Sequence, residues 1–248
     1  GFAEVTVVAP DRPRSACGHS ITLHKPLRLH RARLADGSPA YSSNGTPSDC
    51  VSLALLAVMA DAPPDLVIAG INEGPNVGWD LTYSGTVSAA MEAAIAGFPA
   101  LAVSLAWRLV RVIAEEEGPT PPVDFGPAAR FTVWLAQRIL TEPLPPHTLL
   151  NVNVPTGAIR GVEVTRQGVR RFPGRIDHRR DPQGRDYYWI NGAQPEHELI
   201  PGTDVYAVAN GYISVMPAQL DLTDHALVER LRGWSFPAPG VLVDAPAR

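Results

Sequence analysis

The sequence is poor in cysteine, and its 248 residues contain only Cys17 and Cys50. Two cysteines cannot build the disulfide framework of a small secreted domain. Both stand among small residues, which is typical of reduced thiols. We therefore expect a cytoplasmic protein whose cysteines are not bridged.

Long apolar runs are also missing. No uninterrupted apolar stretch is long enough to span a bilayer, so we expect no membrane partner. No secretory signal precedes Gly1, which again favours a cytoplasmic location. The chain begins at Gly1 without a methionine, almost directly on a predicted strand, and we expect that a native start has been removed or left out of this sequence.

An excess of basic residues is missing too. The 21 lysines and arginines are outnumbered by 25 acidic residues, which gives a formal net charge of −4. This balance leaves no electrostatic footprint for a nucleic-acid duplex. Residues 166–180 are locally basic, and a run of this kind is most often a solvated face.

Several catalytic motifs do not occur in this chain. It has no Walker loop, no dinucleotide G-x-G-x-x-G, no H-E-x-x-H or paired-cysteine zinc motif, and no G-x-S-x-G elbow. These absences argue against an ATPase, a dehydrogenase, a zinc protease and a serine hydrolase.

Apolar segments of strand length alternate with helix-like segments along the first part of the chain. We predict strands at residues 4–9, 65–71, 100–104 and 148–154, and an extended edge over 21–34. We predict helices at residues 46–60, 87–96 and 128–140. Strands that are apolar on both faces and separated by helices indicate an α/β fold with a mostly parallel sheet covered by helices.

Three polar loops follow predicted strands, at residues 10–20, 42–46 and 72–86. In such a fold, ligands bind beyond the carboxyl ends of the strands. We therefore expect the three loops to converge on one site.

The stretch at residues 69–94, AGINEGPNVGWDLTYSGTVSAAMEAA, is the most informative in the chain. It runs from a buried strand through a glycine-rich loop and small hydroxyl residues into a helix. The first turn of a helix has unpaired N–H groups and a partial positive charge. This arrangement predicts a site for phosphate or another small anion.

Individual residues of these loops allow two interpretations each. Asn72 can ligate Mg²⁺ or Mn²⁺ through its amide oxygen, or it can tie down its own loop. Ser15 is either a weak metal or phosphate ligand or merely solvated. His19 is either a general acid or base or polar filler. Ser84 and Thr86 either bind phosphate or cap the helix, and one residue can do both.

The alternation of predicted strands and helices ends after Pro155. Residues 162–166 and 185–190 are predicted to pair as a long hairpin with a basic tip, and residues 224–232 form a final helix. A protruding hairpin of this length either contacts another subunit or stands free. We divide the chain into a core at residues 1–155 and a C-terminal extension at 156–248.

Taken together, these segments resemble the SurE survival-protein family. The resemblance is carried by residues 69–94, by VVAPDRPRSACGHSIT at 7–22, SNGTPSDCV at 43–51, LLNVNVP at 149–155 and NGYISVMPAQLDLT at 210–223. These motifs cover nearly the whole chain in the family's order.

The resemblance implies a Rossmann-like core and a phosphatase that depends on a divalent metal, Mg²⁺ or Mn²⁺. Its substrates would be nucleoside 5′- and 3′-monophosphates and, in some members, short polyphosphate. The family's serine and asparagine metal ligands match Ser15 and Asn72. The phosphate-lining positions match Asn76 and the turn Ser84-Gly85-Thr86. Dimers or tetramers through C-terminal segments and the hairpin are also implied.

The sequence departs from the family in one respect. The family opens with a strand that ends in Asn-Asp-Asp-Gly, and this strand-helix unit does not precede Gly1. The paired aspartates would be the main anionic metal ligands, whereas Ser15 and Asn72 offer neutral oxygens. Two hypotheses follow: a metal-dependent nucleotidase, or a non-catalytic oligomeric module that binds phosphate.

Overall fold

A computed structural model describes residues 2–107, 109, 123–192 and 195–236. The strands are β1 (Val8–Pro10), β2 (Leu29–Arg33), β3 (Pro39–Ser43), β4 (Val67–Glu73), β5 (Ala100–Ala106), β6 (Thr148–Pro155), β7 (Gly161–Val164), β8 (Arg170–Arg171), β9 (Gly174–Arg180), β10 (Asp186–Gly192), β11 (Glu196–His197) and β12 (Tyr212–Gln219). The α-helices are α1 (Pro47–Leu53), α2 (Gly85–Ile95), α3 (Gly126–Thr141), α4 (Asp204–Ala209) and α5 (His225–Arg232).

The central sheet has the order β4-β5-β6-β12-β7 in the described part of the chain. Strands β4, β5 and β6 are parallel, and β12 pairs in parallel with β7. Every residue of β5 is buried, as expected for a strand covered on both faces. Helix α2 packs against β4, β5 and β6, and α3 packs against β5. The predicted α/β class is confirmed.

The main core lies between this sheet and α3. Its buried residues are Leu101, Val103, Leu105, Ala128, Leu135, Ile139, Val152, Val154, Ile213 and Val215. Removal of these side chains from water is the main contribution that holds the layers together.

Two predicted strands near the N-terminus are shorter than the sequence pattern indicated. In place of a buried strand at 4–9, the structure has the short strand β1, which among the described residues pairs with β3 at one edge of a three-stranded sheet. Residues 4–6 precede this strand and are exposed. Of the extended segment 21–34, only β2 is a strand, antiparallel to β3. Pro26, which has no N–H to donate, stands before it.

The predicted hairpin partners are wrong. Residues 161–164 form β7, which lies in the central sheet beside β12. The hairpin consists of β9 and β10, with Ile176 opposite Ile190. Segment 174–180 resembles a basic loop, but its charges are paired. Arg180 donates to Asp186 across the hairpin at 3.0 Å, and Arg175 and Arg179 each lie 3.7 Å from Asp177 on the same strand. The tip lies near Asp181, within the predicted basic tip.

Helix starts follow the predicted capping chemistry. The Thr46 side chain accepts a hydrogen bond from the N–H of Asp49, whose carboxylate accepts from the N–H of Thr46 in return. Pro47 occupies the first turn. The helix then continues as a π-helical turn, Ala54–Val58. Ser84 caps α2, and Asp224 caps α5.

Two compact units divide the chain, Gly1–Ala218 and Gln219–Arg248. The first contains the central sheet and the loops described below. In the second, His225, the first residue of α5, forms a hydrogen bond of 2.8 Å with Asp221. The predicted division near residue 155 stays a prediction. No helix of the described ranges combines the length and apolar character that crossing a membrane requires.

Asp204 joins segments of the first unit that are far apart in sequence. Its buried carboxylate accepts hydrogen bonds from the N–H groups of Gly78 at 2.9 Å and Gly168 at 2.8 Å. The N–H of Val205 donates to it at 2.8 Å. Burial raises the pKa of this carboxyl, and the three donors offset only part of the desolvation. Asp204 thereby fixes the loop at Gly78 to the chain at Gly168.

We expect Asp204→Asn to lower the free energy of unfolding by about 1–3 kcal/mol, measured by urea denaturation. The amide places its NH₂ group against a backbone N–H and leaves that buried donor without an acceptor. Asp36→Asn is the matched control, because Asp36 is exposed and accepts from Ser38 N–H as an Asn side chain also can. Equal losses in the two variants would contradict the assignment.

Candidate active site

A cleft of about 920 Å³ opens in the first unit, beside the ends of β1 and β4 and the start of α2. It is lined by the loops at residues 10–16, 72–76 and 80–86, together with Pro47, Arg170 and Phe172. Two of the three loops predicted to converge, 10–20 and 72–86, thus meet in this cleft. The loop at 42–46 is not among the lining residues, although Pro47, the first residue of the helix that follows it, is.

Most of the residues predicted for the site line this cleft together. They are Ser15, Asn72, Asn76, Ser84, Gly85 and Thr86. His19 is not among the lining residues. Its Nε2 is 2.8 Å from a carboxylate oxygen of Glu92 on α2, and Ser52 donates to the other oxygen of Glu92 at 3.0 Å. This contact ties the loop that follows β1 to α2, and the catalytic role of His19 stays a prediction.

Asn72 fits both interpretations that the sequence allows. Its amide nitrogen donates to the Gly74 carbonyl at 3.1 Å, which ties down the loop. The same bond fixes the orientation of the amide, so that Oδ1 is the atom able to ligate a hard cation. The structural and the functional roles of Asn72 are therefore compatible.

The start of α2 lies on the wall of the cleft. Ser84 Oγ accepts a hydrogen bond from the N–H of Val87 at 3.1 Å. Ser84 therefore caps the helix, which is one of the two roles predicted for it. The N–H groups of Gly85 and Thr86, in the first turn, have no acceptor within the helix. A Cβ on Gly85 would lie 2.9 Å from Pro47 Cγ and 3.0 Å from Cys17 Sγ. Glycine thus lets two neighbouring segments pack against the helix start.

Asn76 is held by a buried polar network behind the cleft. Its N–H donates to Asn153 Oδ1 at 2.8 Å, and its carbonyl accepts from Asn151 at 2.9 Å and Asn153 at 3.0 Å. Its amide nitrogen donates to Ser104 Oγ at 2.7 Å. One amide hydrogen of Asn76 is therefore used by the protein.

The sequence interpretation missed the pairing of Arg170 with Asp80. Arg170 was placed in a solvated basic run, yet it is 8% exposed and forms a buried ion pair with Asp80. The Arg170 guanidinium carbon also lies 4.8 Å from the Phe172 ring centroid. The one local sign in the sequence that Arg170 is not solvated is Phe172, an aromatic residue within a charged segment. The partner stands 90 residues away in sequence, beyond any pattern of spacing.

The glycine at position 78 allows the backbone at Arg170 to approach the loop that carries Asp80. Its φ is +57°, and a Cβ there would lie 2.6 Å from the Arg170 backbone nitrogen. A side chain at Gly78 would therefore push β8 away from the 3₁₀ turn Gly78–Thr82. The buried pair depends on this close approach.

Burial raises the pKa of Asp80 to about 6, although the Arg170 guanidinium acts in the opposite direction. The carboxylate of Asp204 adds to the rise. Asp80 is consequently ionised at neutral pH and becomes protonated under mildly acidic conditions.

The donor set fits a divalent cation only in part. Within the described ranges, no three His, Cys, Asp or Glu residues are grouped in a way that could hold a metal. Ser15 and Asn72 are hard oxygen donors on the wall of the same cleft, but both are neutral. A hard dication bound there requires anionic ligands in addition.

The fold and the site define an α/β protein whose cleft lies at the carboxyl ends of parallel strands. Residues 2–173 match the family model described as "Survival protein SurE". The chain belongs to the SurE family.

Relatives of the chain carry consistent names. A protein of Syntrophotalea carbinolica named "5′-nucleotidase SurE" is 47% identical over 237 residues, which are 95% of this chain and 88% of the relative. A protein of the same name from Chloroflexus aggregans is 47% identical over 238 residues, 95% of this chain and 90% of the relative.

A solved structure supports the same conclusion about the fold. The crystal structure of the SurE protein from Aquifex aeolicus matches with a TM-score of 0.73 and 39% sequence identity. The match covers 93% of this chain and 88% of that one. The family resemblance and the Rossmann-like fold predicted from the sequence are both confirmed.

The raised pKa of Asp80 predicts a pH-dependent stability term. The folded carboxyl binds its proton more readily than the unfolded one, so its contribution to stability falls as pH rises from about 4 to about 6 and is then constant. We expect the difference in unfolding free energy between wild type and Asp80→Asn to decrease over this window. Urea denaturation at a series of pH values measures it, and a difference that does not vary with pH would contradict the assignment.

Proposed function

We propose that this protein is a phosphomonoesterase that hydrolyses nucleoside 5′-monophosphates, and also 3′-monophosphates and short polyphosphate, with the aid of a divalent metal. The observation that carries the proposal is the meeting of the α2 N-terminus with Asn72 and Asn76 in one cleft. Membership of a family whose relatives are named 5′-nucleotidase supports the choice of substrate.

The protein's own groups would act on the phosphate. The N–H groups of Gly85 and Thr86 and the Thr86 hydroxyl are donors at the positive end of α2. The second amide hydrogen of Asn76 adds a donor that Ser104 holds in place. Donors fixed before the reaction stabilise charge on the phosphoryl oxygens as a water attacks the phosphorus.

Ser15 and Asn72 would hold Mg²⁺ or Mn²⁺ through neutral oxygens, with the substrate phosphate and further carboxylates as anionic ligands. A bound dication polarises phosphoryl oxygens and lowers the pKa of a bound water. His19 is retained as a candidate for proton transfer, and its contact with Glu92 makes it equally a residue that positions the loop.

Assembly and location complete the proposal. The protein would be a cytoplasmic homodimer or homotetramer, in keeping with the two free cysteines. The β9–β10 hairpin is the proposed subunit contact. One face carries Ile176 opposite Ile190 and His178 opposite Tyr188, and both isoleucines are exposed. An exposed apolar face on a two-stranded arm is typical of an interaction surface.

Metal removal and loss of Asn72 test the reaction. We expect phosphate release from a nucleoside monophosphate to stop in EDTA and to return with Mn²⁺ or Mg²⁺. Asn72→Ala should lower kcat/KM by about 100-fold or more, because a metal ligand is lost. Its unfolding free energy should change by about 1 kcal/mol or less, the contribution of the Gly74 hydrogen bond.

Asn210→Ala is the matched control. Its amide donates to the Tyr206 carbonyl at 2.8 Å, so this variant loses a similar bond but should keep its turnover. Unchanged turnover in Asn72→Ala would remove Asn72 from the ligand set. Binding of nucleotide without phosphate release would favour the alternative, a non-catalytic phosphate-binding module.

The hairpin contact is tested by charge. We expect Ile176→Glu combined with Ile190→Glu to lower the molar mass measured by light scattering after size-exclusion chromatography, because buried carboxylates are costly at an interface. Leu56→Glu is the control, since Leu56 is also exposed but lies in the π-helical turn. An unchanged mass in the double variant would exclude the hairpin as the contact.

A further inference from the structure

The cleft contains a buried cation, the Arg170 guanidinium, to which the proposed reaction assigns no role. Arg170 lines the cleft, and 10% of its side chain is exposed. Its carboxylate partner, Asp80, lines the same cleft and is 9% exposed in its side chain. An arginine held this far from water is costly unless its donors are used.

The ion pair leaves part of both groups without a partner. Arg170 donates to Asp80 through Nη1, which leaves the edge formed by Nε and Nη2. Both Arg170 Nε and Asp80 Oδ1 are buried and have no hydrogen-bond partner among the described residues. The Nε–Nη2 edge of a guanidinium is suited to bind two oxygens of one phosphate or carboxylate side by side.

The surrounding structure holds Arg170 firmly in this position. Gln167 Nε2 donates to the Gly78 carbonyl at 2.7 Å, and Asp204 bridges the N–H groups of Gly78 and Gly168. Strand β8 is also paired with β11, where His197 lies opposite Arg170. A segment that is anchored on both sides delivers its arginine without the entropic cost of ordering a free side chain.

We propose that Arg170 binds the phosphate of the substrate through its free guanidinium edge, and that Asp80 is a positioning residue that orients the guanidinium. The inference rests on the proposed function, because it takes a phosphate in this cleft as given. Phosphate enters between the α2 N-terminus on one wall and Arg170 on another. Phe172 packs against the guanidinium and limits access of water to it.

Binding of inorganic phosphate, measured by calorimetry in the presence of Mn²⁺, tests the proposal separately from turnover. We expect Arg170→Met to weaken phosphate binding by about 10–100-fold, the loss expected for a charge-assisted hydrogen-bond pair. Arg171→Met is the matched control: Arg171 is exposed, pairs with Glu196 at 2.8 Å and should leave binding unchanged within about 2-fold.

The role of Asp80 is tested by a double-mutant cycle. Asp80→Asn should weaken phosphate binding in the wild type but have no further effect in Arg170→Met, because its influence passes through the guanidinium. A purely structural Asp80 would lower stability without this coupling in phosphate affinity. Arg170→Lys keeps the charge and removes the side-by-side donors, so it should bind phosphate more weakly than wild type.

Wild-type affinity in Arg170→Met would overturn the proposal. If that variant does not fold, Arg170→Lys decides: a native melting temperature with unchanged phosphate affinity also overturns it. The failure of the proposed function has a different signature, since wild-type protein would then bind phosphate in an Arg170-dependent way without releasing phosphate from a nucleotide.

Discussion

The carboxylate of Asp204 is the constraint on which the cleft depends. It lies at the start of α4 and accepts N–H groups from Gly78 and Gly168, so three distant parts of the chain meet at one buried charge. Because the loop at Gly78 is fixed there, the 3₁₀ turn that follows presents Asp80 to Arg170. The buried ion pair and this wall of the cleft depend on this connection.

A second set of polar contacts holds the same loop from the sheet side. The side chains of Asn153 and Asn151 on β6 form hydrogen bonds with the backbone of Asn76, and Ser104 on β5 accepts a hydrogen bond from the Asn76 side chain. These residues are buried in the strands and do not line the cleft. The site is therefore built on two layers: rigid strands that carry asparagines, and loops whose backbone these asparagines fix.

The electrostatic potential of the cleft depends on where a few charged groups and one helix N-terminus lie. The chain as a whole is mildly acidic, yet both the positive end of α2 and Arg170 line the cleft. Asp80 partly neutralises Arg170, and burial keeps the pKa of Asp80 at about 6. A phosphate approaching this site meets oriented donors, for which net charge is a poor guide.

The sequence by itself determined the α/β class, the helix starts at Thr46 and Ser84, and the loops that carry Ser15, Asn72, Ser84 and Thr86, whereas Asn76 was indicated only by the family resemblance. These features follow from local rules: apolar strands of fixed length, capping side chains and loops at strand ends. Tertiary structure alone decided the Arg170–Asp80 pair, the place of β7 beside β12, and the contact of His19 with Glu92. Each of these joins residues that are remote in sequence, and whether a charged residue is solvated or buried depends on a partner that no local pattern specifies.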